Sequence, residues 1–284
     1  MAAGSSPTTK DADDTMLKPP HTGPGTLPGI PATFPVSSGC PDRATSGGGA
    51  GDVLGILGGM GPLASAGFLQ SVYEAAVERE GPFAEQALPR CLLDSDPAFP
   101  DRTEAIRAGA EAEFLARMRR RLTALTRLGA TRTVVACVTA HHFLELLPAA
   151  ERERVISLVD VLLDELAAVG PGERLLLVAT HGTREARVLE RSVRWPEVEQ
   201  RVVLPGPDAQ HTVHRLLYRL KREPVSEELA GCFLALADEH GCQGLIAGCT
   251  EAHLLTRWLR GRDGPRIVDP LLTVATRLTS LLAG

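Results

Sequence analysis

The chain has 284 residues, of which 44% are hydrophobic, and its formal net charge at pH 7 is −5. This length allows one or two domains with a substantial core, while the acidic balance and the absence of a long basic run argue against binding to nucleic acid. No apolar run reaches the roughly 18 residues of a membrane span, and no secretory signal pattern opens the sequence, so we expect no membrane partner.

Six cysteines are spread widely along the chain, at positions 40, 91, 137, 232, 242 and 249. This spacing is unlike the dense pattern of a small secreted domain that is held together by disulfides. We therefore predict free thiols and a cytoplasmic, reducing location.

The first 51 residues are rich in Gly, Pro, Ser and Thr, and such a segment buries too little apolar surface to offset the entropy lost on ordering. We predict a disordered tail over 1–51. Beyond it, short β-like runs alternate with amphipathic helical stretches. The predicted strands are Val53–Leu57, Arg90–Leu93, Thr133–Ala136, Arg174–Ala179, Arg201–Leu204 and Gly244–Ala247, and the predicted helices include Glu104–Leu128, Arg184–Arg191 and Ser226–His240. This alternation predicts βαβ units, and therefore an α/β fold with parallel sheet.

One pattern occurs twice along the chain: an apolar strand, then Cys-x-x-Ala-His, then a Leu-rich helix. The first copy contains Cys137–His141 and the second contains Cys249–His253. A weaker echo relates Gly55–Pro62 to Ala179–Thr183. The repeats predict two similar α/β halves that face each other, which we place at 52–154, completed by 270–284, and at 155–269.

Both repeated cysteines stand where a strand gives way to a helix, at the sheet edge where α/β proteins bind ligands. A helix N-terminus favours an anion, and it therefore favours the thiolate form of a cysteine. Cys137 and Cys249 on opposing halves could flank one carbon atom. One thiolate could then remove a proton while the other thiol delivers a proton to the opposite face, which is acid–base catalysis without a cofactor.

Two other interpretations of these residues are open at the level of sequence. A single cysteine is often a small buried apolar residue with no chemical role. Alternatively, Cys137 with His141 and Cys249 with His253 could supply a Cys2His2 zinc site, although the clustered ligand spacing of such sites is absent.

A glycine-rich turn follows the first strand, and Gly59-x-Gly61-x-x-Ala64 within it formally matches a dinucleotide-binding fingerprint. The match is weak, because the fingerprint expects a second strand that ends in an acidic residue about 20 positions further on. We interpret the turn, including Met60 and Gly61, as one that accepts a carboxylate on its backbone N–H groups.

Two arginine-containing segments have both a functional and an ordinary interpretation. Arg102, in the loop Ser95–Thr103, could bind a carboxylate through two N–H groups, or it could face solvent beside a helix cap at Asp101. The run Arg117–Arg121 contains four arginines, and a solvated helix face explains it better than a phosphate site does.

Polar residues also follow the later strands. Thr183 and Arg184 come after a very apolar strand and could hold a second anionic group, or they could belong to an ordinary helix cap. Glu251 comes two residues after Cys249, where it could orient a partner or simply favour the dipole of the following helix.

Four motifs follow one another along the chain: Ile56–Ala64, Pro100–Thr103, Cys137–His141 and Gly248–Glu251. In this order they resemble the motifs of the PLP-independent aspartate racemases, which belong to the aspartate/glutamate racemase family. The four motifs together are specific, and the resemblance extends from Val53 to the C-terminus.

The resemblance implies two Rossmann-like halves, each a parallel sheet flanked by helices, that are related by pseudo-twofold symmetry and enclose the site between them. It also implies a homodimer, and a small amino acid or related carboxylic acid as the substrate. No PLP, nucleotide or metal is expected, so the predicted cofactor set is empty.

The resemblance further implies residue roles. Cys137 and Cys249 would be the catalytic acid–base pair, and Arg102 would bind a substrate carboxylate. With the candidates above, the predicted substrate-binding set is Met60, Gly61, Arg102, Val138, Thr139, Thr183, Arg184, Thr250 and Glu251.

Two residues depart from the family motifs beside the catalytic positions. Val138 stands where the family has an Asn that binds the substrate carboxylate, and a lost amide of that kind costs roughly 1–3 kcal/mol. His253 stands where the family usually has Pro. We predict a cofactor-independent racemase or epimerase. The alternatives are an isomerase, a decarboxylase, or a cyclase/lyase of the same fold that acts on a non-standard acid, and a small-acid binding protein or nucleotide-dependent enzyme.

Overall fold

Parallel strands form two four-stranded sheets in residues 51–80 and 85–283, the part of the chain that this computed structural model describes. The first sheet contains β1 (Val53–Gly58), β2 (Arg90–Ser95), β3 (Arg132–Val135) and β4 (Val155–Ile156). The second contains β5 (Leu175–Val178), β6 (Val202–Val203), β7 (Gly244–Ala247) and β8 (Arg266–Val268). The strand orders are β2-β1-β3-β4 and β6-β5-β7-β8, so the second half repeats the first and the predicted α/β fold with two similar parallel halves is confirmed.

Helices alternate with these strands. The first half contains α1 (Pro62–Glu80), α2 (Arg102–Arg107), α3 (Glu111–Arg127), α4 (His141–Leu144) and α5 (Ala149–Arg152). After β4 come α6 (Leu158–Ala167), α7 (His181–Glu185), α8 (Trp195–Val198), α9 (Pro207–Leu220), α10 (Glu227–Glu239), α11 (Ala252–Leu259), α12 (Pro270–Thr276) and α13 (Leu278–Ala283). Two short 3-10 turns lie at Glu85–Ala87 and Glu199–Arg201.

The predicted tail over 1–51 lies outside the described residues, apart from Gly51, and Cys40 lies outside them too. The five cysteines that are described are free thiols. Within the two described ranges, none of the helices has both the length and the apolar character that a membrane span requires.

Apolar side chains join the two sheets into one core. The central strand β5 reads Leu-Leu-Leu-Val and is buried throughout, as expected for a parallel strand with both faces covered. One buried cluster contains Leu54 and Ile56 of β1 together with Leu175 and Leu177 of β5. One apolar core therefore fixes the strands of both halves, and with them the carboxyl ends of those strands.

The boundary between the halves differs slightly from the predicted one. Val155 and Ile156 pair with Thr133 and Val134 of β3, so the first sheet extends two residues past the predicted end at 154. The two-residue strand β4 and the three-residue strand β8 are too short for a periodic pattern in the sequence. The assignment of 270–284 to the first half stays a prediction, and the contact of α12 with α1 supports it.

The predicted single helix Glu104–Leu128 is wrong, because the chain forms two helices there. Gly109 has a φ of +65°, and it ends α2 in the left-handed conformation that glycine adopts at little cost. The amide of Gly109 bonds the carbonyl of Ile106, and the amide of Ala110 bonds that of Ala105, which is a Schellman cap. This break lets α2 pack against α7 while α3 packs against the first sheet.

The predicted helix Arg184–Arg191 is also wrong, because α7 ends at Glu185. Arg187 has a φ of 52°, and the turn there brings Val188 and Leu189 into the core. By contrast, the prediction for Ser226–His240 is confirmed: Ser226 caps α10 by accepting the amide of Leu229.

The loop after β2 is anchored by Asp96, which is buried against the turn at Gly59. A Cβ atom at Gly59 would overlap the backbone of Asp96, and the φ of Gly59 is +85°. Asp96 accepts hydrogen bonds from Arg117 and Arg121, each at 2.7 Å, and these arginines hold its pKa at about 2. The arginine run is thus not merely a solvated helix face, because it fixes the loop that leads to Arg102.

We expect Asp96→Asn to lower the free energy of unfolding by about 1–3 kcal/mol at neutral pH, because two arginines lose a charged acceptor. The folded-state pKa of about 2 lies below the ordinary value of 3.8, so this stability is complete above about pH 4 and is lost as the pH falls through about 2. Urea unfolding of the unmodified protein and of Asp96→Asn between about pH 2 and pH 7 measures the difference in unfolding free energy.

The control Asp94→Asn, which removes only a 3.6 Å contact with Arg121, should cost less than about 1 kcal/mol. If the loss of unfolding free energy caused by Asp96→Asn does not change with pH, the prediction is contradicted.

Candidate active site

The two repeated cysteines occupy equivalent places in the two halves. Cys137 follows β3 and Cys249 follows β7, which are topological counterparts in the two sheets. Both residues are buried, with exposed fractions of 6% and 4%. The helix after Cys137 is a single turn, so the helix dipole expected at that sulfur is small, whereas α11 after Cys249 has eight residues.

Both cysteines line one narrow cavity, which has a volume of about 10 Å³. Each half contributes five of its lining residues: Asp101, Arg102, Thr103, Cys137 and Thr139 from the first, and Thr180, Tyr218, Lys221, Cys249 and Glu251 from the second. A volume of this size has room for about one water molecule, so the halves must move apart before a substrate can enter.

The Cys249 thiol has a carboxylate as its hydrogen-bond partner. Its Sγ atom donates to Oε2 of Glu251 at 2.7 Å. Burial, and then the negative charge of Glu251, raise the pKa of Cys249 well above its ordinary value, and Cys137 adds to the effect. Cys249 is therefore a neutral thiol at physiological pH, which is the form that can deliver a proton.

Arg102 is held across the cavity by backbone carbonyls of the first half. Its guanidinium donates to the carbonyl of Met60 at 2.6 Å and to that of Pro100 at 2.9 Å. Burial acts to lower the pKa of Arg102, but electrostatic interaction with the Cys137 sulfur and with the carboxylates of Asp101 and Glu251 raises it overall. Arg102 thus lies within the electrostatic reach of both cysteines and supplies a fixed positive charge to the cavity.

The end of α9 contributes a second cation that the sequence analysis missed. Lys221 lines the cavity, and its Nζ atom lies 3.9 Å from the centre of the Tyr218 ring. The hydroxyl of Tyr218 donates to Oδ2 of Asp101 at 2.7 Å, and burial together with this bond raises the pKa of Tyr218. Asp101 also caps α2, so the helix that carries Arg102 is tied to α9.

Three threonine hydroxyls form a cluster between the halves. Thr139 lies 2.7 Å from Thr183 and 3.2 Å from Thr180, measured between the Oγ1 atoms. Thr180 also caps α7 by accepting the amide of Thr183, so the ordinary cap considered from the sequence is present. Thr139 and Thr180 line the cavity, and the hydroxyl of Thr183, which does not, is within hydrogen-bond distance of both.

The two histidines of the repeated motif bond to other partners than the cysteine sulfurs. His141 accepts the amide of Leu158 on Nε2 at 2.9 Å, which leaves Nδ1 to donate to the carbonyl of Cys137 at 3.0 Å. Burial lowers its pKa to about 4, so the ring is neutral. His253 is fully buried and bonds Asp269 and Ser71, at 2.7 Å and 3.0 Å. Within residues 51–80 and 85–283 no group of three His, Cys, Asp or Glu side chains could hold a metal ion.

Six of the predicted substrate-binding residues do not line the cavity: Met60, Gly61, Val138, Thr183, Arg184 and Thr250. Val138 packs in the apolar cluster that joins the sheets. Thr250 donates from its hydroxyl to the carbonyl of Ala136 at 3.2 Å, which links the two cysteine turns. Arg184 forms an ion pair with Glu190, so its charge is directed to that carboxylate and its predicted role with substrate gains no support.

Several contacts near the cavity cross between the halves at α2. Besides the bond from Tyr218 to Asp101, the hydroxyl of Thr103 accepts the amide of Gly182 at 3.3 Å. Arg107 of α2 forms a two-pronged ion pair with Glu185 of α7, at 2.9 and 2.6 Å. A Cβ atom at Gly182 would lie within 2.8 Å of the Thr103 backbone, so this approach requires glycine.

One feature of the sequence could have identified Lys221. It is the single lysine between residues 51 and 283, in a chain whose other basic side chains there are arginines and histidines. Tyr218 and Thr180 offered no comparable signal, because an aromatic residue on an amphipathic helix and a threonine after a strand are both common.

Comparison with known proteins is consistent with this geometry. The sequence profile of the Asp/Glu/Hydantoin racemase family matches residues 57–278. The chain therefore belongs to this family, and as an enzyme it is an isomerase of the amino-acid racemase type.

Solved structures share the fold. Aspartate racemase from Picrophilus torridus is similar with a TM-score of 0.65 and 20% identity, over 81% of this chain and 94% of that one. Glutamate racemase from Bacillus anthracis gives a TM-score of 0.56 and 17% identity, over 82% of each chain. An aspartate racemase homologue from Pyrococcus horikoshii gives 0.54 and 20%, over 82% of this chain and 100% of that one. At these identities the likeness establishes the fold, and the substrate has to be argued from the site.

We expect Gly61→Ala to lower the pKa of Cys249. A Cβ atom at Gly61 would overlap Oε1 of Glu251 and displace the carboxylate whose charge raises that pKa. Alkylation of Cys249 as a function of pH, followed by mass spectrometry, measures the titration. The control Gly67→Ala places its Cβ atom 3.3 Å from the flexible side chain of Arg257 and should leave the titration unchanged. An unshifted titration in Gly61→Ala would show that Glu251 does not control the thiol.

Proposed function

We propose that this protein is a cofactor-independent racemase of an acidic amino acid and that Cys137 and Cys249 are its acid–base pair. The observation that carries the proposal is that two buried cysteines, one from each half, line the same small cavity. A stereocentre between them would present its two faces to the two sulfurs, which is the arrangement that inversion requires.

The charges around the two thiols suit a two-base reaction. Arg102 places a positive charge near Cys137, as a thiolate base requires, while Cys249 is held as a thiol beside Glu251. In one direction the Cys137 thiolate takes the Cα proton, and the Cys249 thiol then gives its own proton to the opposite face. The cysteines end with exchanged protonation states, and the reverse reaction starts from that exchanged form.

Two cations indicate a substrate with two anionic groups. Arg102 is fixed by carbonyls and Lys221 rests on the Tyr218 ring, and both line the cavity. One carboxylate beside Arg102 would spread the negative charge that develops at Cα as the proton leaves, and preorganised charge of this kind lowers such barriers. The second carboxylate would reach Lys221. Aspartate and glutamate are the common amino acids with this charge pattern.

Val138 keeps the second candidate function open. Its side chain lies in the apolar core, so no amide contacts a carboxylate at the position where related motifs carry Asn. A same-fold isomerase, decarboxylase, or cyclase/lyase could use the same pair of thiols on a different acid. Such an enzyme would exchange or move protons without inverting an amino-acid stereocentre.

The resemblance also implies a homodimer and the absence of a cofactor, and the spacing of the cysteines implies a cytoplasmic location; we keep all three as predictions. Analytical ultracentrifugation of the purified chain measures the oligomer. Racemisation that survives dialysis against a metal chelator and treatment with a carbonyl reagent would agree with a reaction that needs neither metal nor PLP.

We expect Cys137→Ser and Cys249→Ser each to lower racemisation of aspartate or glutamate by about 10²–10⁴-fold, because a positioned acid or base contributes about that factor. Proton NMR in D₂O follows the loss of the α-proton signal, and chiral chromatography follows inversion. The control is Cys232→Ser, a half-buried cysteine outside the cavity, which should leave the rate unchanged.

The pattern of exchange separates the candidate functions. Racemisation that persists in both single variants would contradict the two-cysteine mechanism. Deuterium uptake without inversion in the unmodified protein would favour the alternative isomerase or lyase.

A further inference from the structure

One buried oxygen atom in the cavity has no hydrogen-bond partner among the residues that the structure describes. It is Oε1 of Glu251, a residue with an exposed fraction of 3% that lines the cavity beside Cys249. Leaving a buried charged acceptor unsatisfied is costly, and native structures rarely do so without a functional reason. The atom therefore calls for a donor that is absent from the protein itself.

The protein groups near this oxygen cannot supply that donor. The other oxygen of the carboxylate already accepts the Cys249 thiol. The guanidinium of Arg102 acts on Glu251 through its charge, but its two hydrogen bonds go to the carbonyls of Met60 and Pro100. On the remaining side stands Gly61, which has no side chain, and a Cβ atom there would overlap Oε1. The glycine leaves room for the carboxylate but offers it no side-chain donor.

The charges of the lining residues form a pattern of two cations and one free anionic oxygen. Arg102 and Lys221 are positive, and Glu251 is negative with one oxygen unpartnered. Asp101 is not equivalent, because it already accepts the Tyr218 hydroxyl and two backbone amides of α2. An acidic amino acid carries the complementary set of two carboxylates and one ammonium group.

We propose that Oε1 of Glu251 receives the α-ammonium group of the substrate, so that the site selects amino acids over 2-hydroxy acids and simple dicarboxylic acids. The proposal rests on the proposed racemase function, which it deepens by naming the residue that recognises the amino group. A hydroxyl or a methylene group at the same position would leave the carboxylate without a cationic partner.

Recognition of the ammonium group also prepares the neighbouring thiol. The negative charge of Glu251 is one of the causes that keep Cys249 protonated. A bound ammonium group offsets this charge, so the thiolate of Cys249 becomes easier to form only when an amino acid occupies the cavity. The same carboxylate thus couples substrate identity to the acid–base state of the second cysteine.

The test is calorimetric binding of matched ligands to the unmodified protein and to Glu251→Gln. The two series are aspartate, malate and succinate, and glutamate, 2-hydroxyglutarate and glutarate. In the unmodified protein we expect the better amino acid to bind at least about 10-fold more tightly than its hydroxy and deamino analogues, since an ion pair in a buried site adds at least about 1.4 kcal/mol. In Glu251→Gln this preference should fall to within about 2-fold, mainly through weaker binding of the amino acid. The control is Glu78→Gln, which removes a charge that pairs with Arg260 at the surface.

The outcomes separate this proposal from the proposed function. Equal binding of amino, hydroxy and deamino ligands to the unmodified protein overturns the proposal even if Glu251→Gln does not fold, and so does a preference that survives in Glu251→Gln. Racemisation assays on the same samples report the function independently. If the unmodified protein exchanges the α-proton and Glu251→Gln keeps the preference, the racemase function stands but Glu251 does not have this role. If Glu251→Gln loses the preference and the unmodified protein shows no exchange, ammonium recognition is supported and the racemase function is rejected.

Discussion

A buried carboxylate beside a buried thiol is the constraint on which the rest of the site depends. Glu251 and Cys249 lie where an ionised group is costly unless opposite charge and hydrogen bonds surround it. The turn at Gly61 leaves space for one carboxylate oxygen, and the charge of Arg102 acts on the group from across the cavity. Arg102 in turn depends on the Met60 carbonyl, which the same glycine turn presents. Three segments that are distant in sequence therefore depend on one another electrostatically: the glycine turn, the arginine loop and the turn at the second cysteine.

The two halves are joined at several places around this unit, and the contacts differ in strength. Arg107 and Glu185 are largely exposed, so their ion pair contributes little to stability and can open at small cost. The network of His253 with Ser71 and Asp269 is buried, and breaking it would leave polar groups unsatisfied in the interior. A cavity this narrow must widen before a ligand can reach the sulfurs. The exposed ion pair between α2 and α7 is therefore weaker than the buried network, while the buried hydrogen bond from Gly182 to Thr103 also holds these two helices together.

The sequence predicted the fold and the positions of the two cysteines because a repeated strand–turn pattern specifies a place at the sheet edge. It predicted Arg102 by resemblance, whereas its spacing alone favoured a solvent-facing side chain. Lys221 and Tyr218 were not predicted, because an amphipathic pattern on α9 does not say which polar residues face a cavity built by other segments. Val138 was predicted at the substrate because it occupies the position where the family motif has Asn, whereas its side chain packs in the apolar core. The predicted role of Arg184 gains no support, because its guanidinium forms an ion pair with the neighbouring Glu190.

The unequal surroundings of the two cysteines have a consequence for kinetics. Free enantiomers have the same energy, so for a racemase the ratio kcat/KM must be identical in the two directions, whatever the enzyme does. One sulfur faces a guanidinium and the other a carboxylate, so the two protonation forms of the resting enzyme differ in energy. Because kcat/KM is the same in both directions, that energy difference can change kcat and KM only together, by the same factor. An enzyme of this design would hold one enantiomer more tightly and turn it over more slowly, while the equilibrium mixture stays equal.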